Sequence, residues 1–363
     1  METRNPSHAE PRSRIDWSAI GRILVIRLRS IGDTVLCTPS LIALRRFLPD
    51  ARIDILLEGW VAPLLDGFDA VDNVLIAGTD LKSRLQTARE IRRNKYEVVF
   101  NQHGGTTATF FARASGAKHL AGFASYQYSF LYDQRIPPAS EFWGRVKVHS
   151  AEQQLALIGS AGVPVEDRPK SRLAVTESAL EAVRVKLDAE TRGRGDAVNG
   201  GFALIHPVAA FDTKQWATEN FARTAEFLRQ KGIATVAVAA KGERGVLDAL
   251  VKESRAAVAI FDDLTLPEIT ALASMARVFV GNDSGIAHIA AAAGTPAVVI
   301  FGSSNIAHWR PWTDAPNEVV YEPLPCQPCA GYTCEVFGEP RCILSVKPER
   351  VFEAVERVLD YEN

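Results

Sequence analysis

Between Val278 and Gly294 an apolar run ends in Gly281, Asn282, Asp283, Ser284 and Gly285, then continues as Ile286, Ala287, His288 and a row of small residues. This order predicts a strand, a tight polar turn and a helix. Free backbone N–H groups and the positive end of the helix dipole would then meet at one corner, an arrangement suited to phosphate. Gly285 permits close backbone approach, and the Ser284 hydroxyl can donate to a phosphate oxygen. His288, four residues after Ser284, would share its helix face. The expected ligand is phosphorylated, most simply a nucleotide.

A second chemical signal stands near the N-terminus, where Ile23–Leu28 runs into Arg29, Ser30, Ile31, Gly32 and Asp33. It is not the Gly-x-Gly-x-x-Gly of dinucleotide-binding folds. Gly32 predicts a tight turn that lifts Asp33 to the carboxyl end of a sheet, where open α/β sheets place their ligands. Taken by itself, Asp33 reads as a helix N-cap, a common role for an aspartate at that place.

Both signals need a scaffold, and the chain supplies an alternating one. Strands are expected at Ile23–Leu28, Ile53–Leu57, Val74–Ile76 and Glu97–Phe100, then at Phe202–Ile205, Ala234–Ala239, Ala257–Phe261, Val278–Val280 and Ala297–Phe301. Helices between them include Pro39–Leu48, Leu81–Asn94, His149–Ser160, Ala217–Gln230, Arg244–Ser254 and Leu266–Ala276. Alternation of this kind predicts parallel βαβ units. Residues 101–150 read as a loop-rich region. A length of 363 residues fits two domains. The expected division is a disordered lead-in at 1–18, a Rossmann-like domain at 19–170 and a second at 171–345. A terminal helix at 346–363 is expected to pack back on the first domain. The junction falls between 162 and 200.

Composition excludes some classes. Lys and Arg number 41 against 43 Asp and Glu, a net charge of −2, so no nucleic-acid partner is expected. No apolar run reaches the length of a membrane span and no secretory signal is visible, which makes the cytoplasm the expected compartment.

Three ordered blocks give the chain a family resemblance. They are Arg27–Leu41; His206-Pro207 with Thr213, Lys214, Gln215, Trp216 and Thr218–Phe221; and Gly281–Ala291 with Phe301-Gly302. Together they resemble family 9 glycosyltransferases, the lipopolysaccharide heptosyltransferases. The resemblance implies a GT-B fold, two Rossmann-like parallel-sheet domains facing across a cleft. It implies an inverting transfer of heptose from ADP-heptose to a lipid-linked saccharide core, with Asp33 as base and Lys214 on the donor phosphates. Asp283, Ser284, Gly285, Ile286 and His288 match the donor motif, with Ser284 where familiar members have Thr. Glu243 matches an acidic residue near the ribose, though a capping role serves equally. Leu264 falls in the segment lining the base pocket, or packs. Ala209 and Ala210 depart from the hydroxyl residues of relatives. Trp216 is expected to pack. Arg29, His103 and Arg113 are candidates to meet an acceptor, or are solvated surface. A lipid-bearing acceptor would bring peripheral contact with the cytoplasmic face of the inner membrane. No Asp-x-Asp motif occurs, and no cofactor is expected for catalysis.

Cys326, Cys329, Cys334 and Cys342 begin like a zinc knuckle. A structural zinc, two disulfides and free thiols all remain open for them. Two other functions remain open for the whole chain. A nucleotide-sugar epimerase of the same form would need a second acid/base group. A non-catalytic nucleotide-sugar-binding protein would not need Asp33.

Overall fold

A computed structural model describes residues 15–191, 201–329 and 331–360. The expected lead-in falls mostly outside them. At its end, however, Ile15 is buried, and the Trp17 indole donates to the carbonyl of Ala161 at 3.1 Å.

Two six-stranded sheets carry the fold. The first holds β1 (Arg22–Ile26), β2 (Arg52–Glu58), β3 (Asn73–Ala77), β4 (Val98–Asn101), β5 (His119–Phe123) and β6 (Gln134–Ile136). The second holds β7 (Phe202–His206), β8 (Ala234–Val238), β9 (Val258–Phe261), β10 (Val278–Asn282), β11 (Ala297–Phe301) and β12 (Asn317–Tyr321). Their orders are β3-β2-β1-β4-β5-β6 and β9-β8-β7-β10-β11-β12. Every pairing between them is parallel. Each sheet therefore reverses direction beside its first strand, between β1 and β4 and again between β7 and β10. In doubly wound sheets the ligand crevice opens at that point, at the carboxyl ends of the strands.

Helices cover both faces, so the central strands read as unbroken apolar runs. Ile23 to Ile26 and Ala297 to Phe301 are essentially inaccessible. The strands hidden in the loop-rich region carry weaker signals. In β5, Gly122 interrupts the run because the Tyr132 ring packs over it; an added Cβ would stand 2.9 Å from that ring. The short β6 alternates through the exposed Arg135, and β12 is an edge strand that buries only Val320.

The lobes are joined through residues 160–176. The Arg172 N–H donates to the Thr38 hydroxyl of the first lobe, while those of Ser171 and Leu173 donate to the carbonyls of Trp312 and Ala292 in the second. One apolar cluster runs from Val25, Leu41 and Leu64 through to Leu272, Phe279 and Ile289, so the lobes share a core. The terminal helix Pro348–Asp360 does not return to the first lobe as expected. Its apolar stripe, Val351, Ala354, Val355 and Val358, packs with Val298, Ile300 and Phe221 against the second sheet.

Candidate active site

The two lobes meet at a pair of helices that each start at a switch point. In the first lobe β1 passes into the helix Ile31–Val35. Gly32 does not make the turn that its type suggested. The positive-φ residue is Ser30, at +79° and without glycine's freedom, a conformation usually held only by surrounding structure. Asp33 lies in the first turn, and its carboxylate pairs with the Arg27 guanidinium. Arg27 is buried and also donates to the carbonyl of Gln102 at the end of β4. Here Asp33 is not the N-cap; Ser30 occupies that place.

In the second lobe β10 turns at Asp283 and Ser284 into the helix Gly285–Ala292. This helix lies directly on Ile31–Val35. A Cβ on Gly285 would stand 2.8 Å from Cβ of Ile31, and one on Gly32 would stand 2.9 Å from Cδ2 of His288. Both glycines are thus required by the approach of the lobes. The result brings Asp33, Asp283 and His288 into one electrostatic neighbourhood. Burial holds the His288 imidazole below its ordinary pKa, while the Asp283 and Asp33 carboxylates pull the other way.

The phosphate-type corner carries further groups. Lys214 closes a single 3-10 turn, Asp212–Lys214, and its Nζ lies 2.8 Å from Oδ2 of Asp283. Asp283 is 6% exposed, so the ammonium offsets a carboxylate that would otherwise be buried unpaired. Ser284 Oγ lies 3.1 Å from Nδ1 of His206, whose own pKa burial depresses to about 4. His206 was seen in sequence only as part of a matching block; its place at the end of β7 identifies it as part of the corner. Trp216 packs, as expected: it is fully buried, its N–H donates to Asn282 Oδ1 at 3.1 Å and its indole to the carbonyl of Val346 at 2.9 Å. Ile286, in the first turn of the helix Gly285–Ala292, is buried. Leu264 is partly buried against the shared core. Glu243 caps its own turn, accepting from the Ala240 N–H at 3.0 Å.

Between the lobes lies a cavity of about 660 Å³, lined by Arg27, Asp33 and His103 on one side and by Asn305, His308 and Trp309 on the other. Burial and the nearby Arg27 and Arg29 lower the His103 pKa to about 4. Arg29 is exposed and lines an adjoining hollow with Arg84 and the Gly104–Thr107 turn. Arg113 is not brought to this corner. It is exposed in the last turn of Gly105–Ser115, the end of the helix away from the carboxyl edge of the sheet. Cys37 is buried, with Sγ 2.9 Å from Gln102 Oε1.

The four C-terminal cysteines are free thiols and line one cavity of about 320 Å³. Among the described residues no group of three or more His, Cys, Asp or Glu side chains is drawn together as a metal site. No helix among them is long and apolar enough to cross a membrane.

Comparison with known proteins accounts for this arrangement. The model of glycosyltransferase family 9 (heptosyltransferase) matches residues 84–338. Lipopolysaccharide heptosyltransferase 3 of Escherichia coli K12 is 25% identical over 300 residues, covering 79% of this chain and 84% of that protein. A family 9 glycosyltransferase from Veillonella parvula superposes with a TM-score of 0.77 at 19% identity, over 94% of this chain and 97% of its own. The E. coli ADP-heptose lipopolysaccharide heptosyltransferase II gives 0.74 at 20% identity, over 94% and 99%. The likeness to these structures establishes the two-lobed GT-B architecture, and the family match establishes the rest: this chain belongs to glycosyltransferase family 9 and is a glycosyltransferase.

Proposed function

We propose that the protein transfers a heptose from ADP-heptose to a saccharide of the lipopolysaccharide core, with inversion at the anomeric carbon and Asp33 as the general base. The supporting observation is the contact of Gly32 with His288, which sets the Asp33 carboxylate of one lobe beside the Asp283–Lys214–Ser284 corner of the other. A relative named for lipopolysaccharide heptosyl transfer and a structure named for ADP-heptose supply the donor and acceptor classes.

In this reading the donor diphosphate lies at the start of the helix Gly285–Ala292. Its N–H groups, the Ser284 hydroxyl and the Lys214 ammonium take up the charge that develops on the leaving nucleotide. Asp33 accepts the proton of the acceptor hydroxyl as that oxygen attacks the anomeric carbon from the face opposite the nucleotide. Arg27 holds the carboxylate at the rim of the crevice. Glu243 approaches the ribose, and Leu264 and Ile286 provide apolar support. The acceptor enters from the first-lobe side past Arg29 and His103, and a lipid-bearing acceptor places the protein at the cytoplasmic membrane face. The reaction needs no catalytic cofactor, because the cations and dipoles of this corner carry the charge.

The test is Asp33→Asn assayed with ADP-heptose and a core acceptor. Transfer should fall by about 10²–10⁴-fold with donor affinity retained, the usual weight of a general base. Unchanged turnover would reject the assignment and favour a binding protein. Isomerisation of the donor without acceptor would favour an epimerase.

A further inference from the structure

Beside the donor corner, the second lobe carries a hollow of about 400 Å³. Three aromatic side chains line it: Phe211, Trp309 and Tyr332. The rings of Phe211 and Tyr332 meet edge to face, with centroids 4.4 Å apart. Lys214 forms part of the wall, its Nζ 5.8 Å from the centre of the Phe211 ring. Asn305 and Trp309 also line the cleft that holds Asp33, so the hollow opens out of that cleft.

The aromatic wall is fixed from behind. Ser303 Oγ donates to the Thr213 hydroxyl at 2.9 Å, and the Thr213 hydroxyl donates to the carbonyl of Gly331 at 3.0 Å. A Cβ on Gly302 would stand 2.1 Å from the Thr213 carbonyl oxygen, so the end of β11 lies tightly against the turn Asp212–Lys214. These contacts tether Tyr332, the residue after Gly331, to the turn that follows Phe211. Tyr332 nevertheless stays 67% exposed. A ring tethered in this way, with most of its surface in water, adds little to a core and offers a face to a ligand.

Polar groups complete the wall. The Ser304 hydroxyl has no hydrogen-bond partner among the described residues. Asn305 precedes the helix Ile306–Trp309 without its side chain capping it. Aromatic faces with a few hydroxyl and amide groups suit a sugar ring, whose C–H face packs on an arene while its hydroxyls take hydrogen bonds. The nucleoside has its candidates elsewhere. Glu243 and Leu264 follow β8 and β9, whereas Ser304 and Asn305 follow β11, across the switch point. The donor sugar would end between Lys214 and Asp33. The hollow instead is open at the exposed Tyr332, so a chain of sugars can enter it and continue into water.

We propose that Phe211, Trp309 and Tyr332, with Ser304 and Asn305, form a carbohydrate subsite for a sugar of the acceptor next to the one attacked. The acceptor then spans both lobes, its reacting sugar at Asp33 and its neighbour against Tyr332. The identity of the acceptor rests on the proposed glycosyl transfer; the subsite is read from the hollow.

The test uses ADP-heptose with two deacylated core acceptors, one limited to the reacting sugar and one carrying its neighbouring sugars. Tyr332→Ala should raise KM for the longer acceptor roughly tenfold more than for the shorter, the upper range for one aromatic contact. Tyr332→Phe, which keeps the ring, should restore it. Equal changes for both acceptors would overturn the subsite. So would a raised KM for ADP-heptose at unchanged ADP affinity, which assigns the hollow to the donor sugar. Saturation-transfer NMR of the longer oligosaccharide, with ADP present, needs no turnover. Wild-type protein should saturate protons of a neighbouring ring, and Tyr332→Ala should lose that signal. Signal at that ring without any transfer would uphold the subsite and sink the proposed reaction. Transfer without signal there would do the reverse.

Discussion

Gly32 of the first lobe and His288 of the second are in contact so close that a single added methyl would stand 2.9 Å from the imidazole. The candidate base is one residue away from this contact. The distance between the lobes, and thus between the groups that act on acceptor and donor, is set by two side chains that are absent, at Gly32 and Gly285.

Gly32→Ala should therefore separate activity from stability. Alanine favours a helix over glycine by about 1 kcal/mol, which offsets part of the steric cost. The lobes must nevertheless shift, and a displacement of about 1 Å can cost on the order of 100-fold in rate. Melting temperature and kcat/KM measured together check this. Wild-type turnover in Gly32→Ala would show that the contact does not set the catalytic distance.

Lys214→Met should weaken donor binding more than loss of one contact would. The substitution leaves Asp283, 6% exposed, as an unpaired carboxylate facing an anionic ligand. Loss of a charged hydrogen bond worth about 1.5–3 kcal/mol corresponds to roughly 10–100-fold in affinity. Adding Asp283→Asn should restore part of it. A double variant that binds ADP no better than Lys214→Met would contradict this account.

Trp216→Ala should lower stability by about 3–5 kcal/mol, the usual cost of emptying a large buried aromatic site. The indole also ties the carbonyl of Val346, just before the terminal helix, so the loss should reach that helix. Denaturant unfolding gives the first effect and hydrogen exchange in 348–360 the second. A loss below about 1 kcal/mol would mean that the cavity collapses without cost.

Stability should fall as pH drops from about 6.5 towards 4. Burial first, and neighbouring cations second, lower His103 to about 4, and burial lowers His149 to about 3 and His206 to about 4. An unfolded histidine titrates near 6.5, so below that pH the unfolded chain binds protons that the folded chain excludes. Stability from these groups is complete above about pH 6.5 and is lost across that interval. Urea midpoints between pH 4 and 8 test the slope. His149 stacks on Trp312 and caps the helix Ser150–Gly159, so His149→Asn, which keeps a capping acceptor, should flatten it. An equally steep curve in that variant would clear His149.

Much of this was legible in the sequence, for a physical reason. Long amphipathic helices such as Leu81–Asn94 carry strong periodicity and fully covered strands such as Ala297–Phe301 stand out as unbroken apolar runs, and the bounds of both agree closely with expectation. Asp283, Ser284 and His288 were recognisable because strand, turn and helix are contiguous in the chain. The strands β5, β6 and β12 were not, since a glycine, a three-residue length and an edge position each weaken the pattern. Nor could the residues show that Arg27 holds Asp33, or that Gly32 serves a neighbouring lobe rather than its own turn. Both depend on contacts between distant segments. Arg113 stood beside Arg29 as an acceptor candidate because residues 101–150 read as loop, whereas the structure forms the helix Gly105–Ser115 there and puts Arg113 in its last turn.

The apolar cluster that passes unbroken from Val25 to Ile289 has a thermodynamic consequence. Each half also has an apolar layer of its own, but this largest cluster closes only when the two are together, so heat should melt them together. A calorimetric scan is then a single endotherm whose van't Hoff and measured enthalpies agree, although the chain is long enough for two independent transitions.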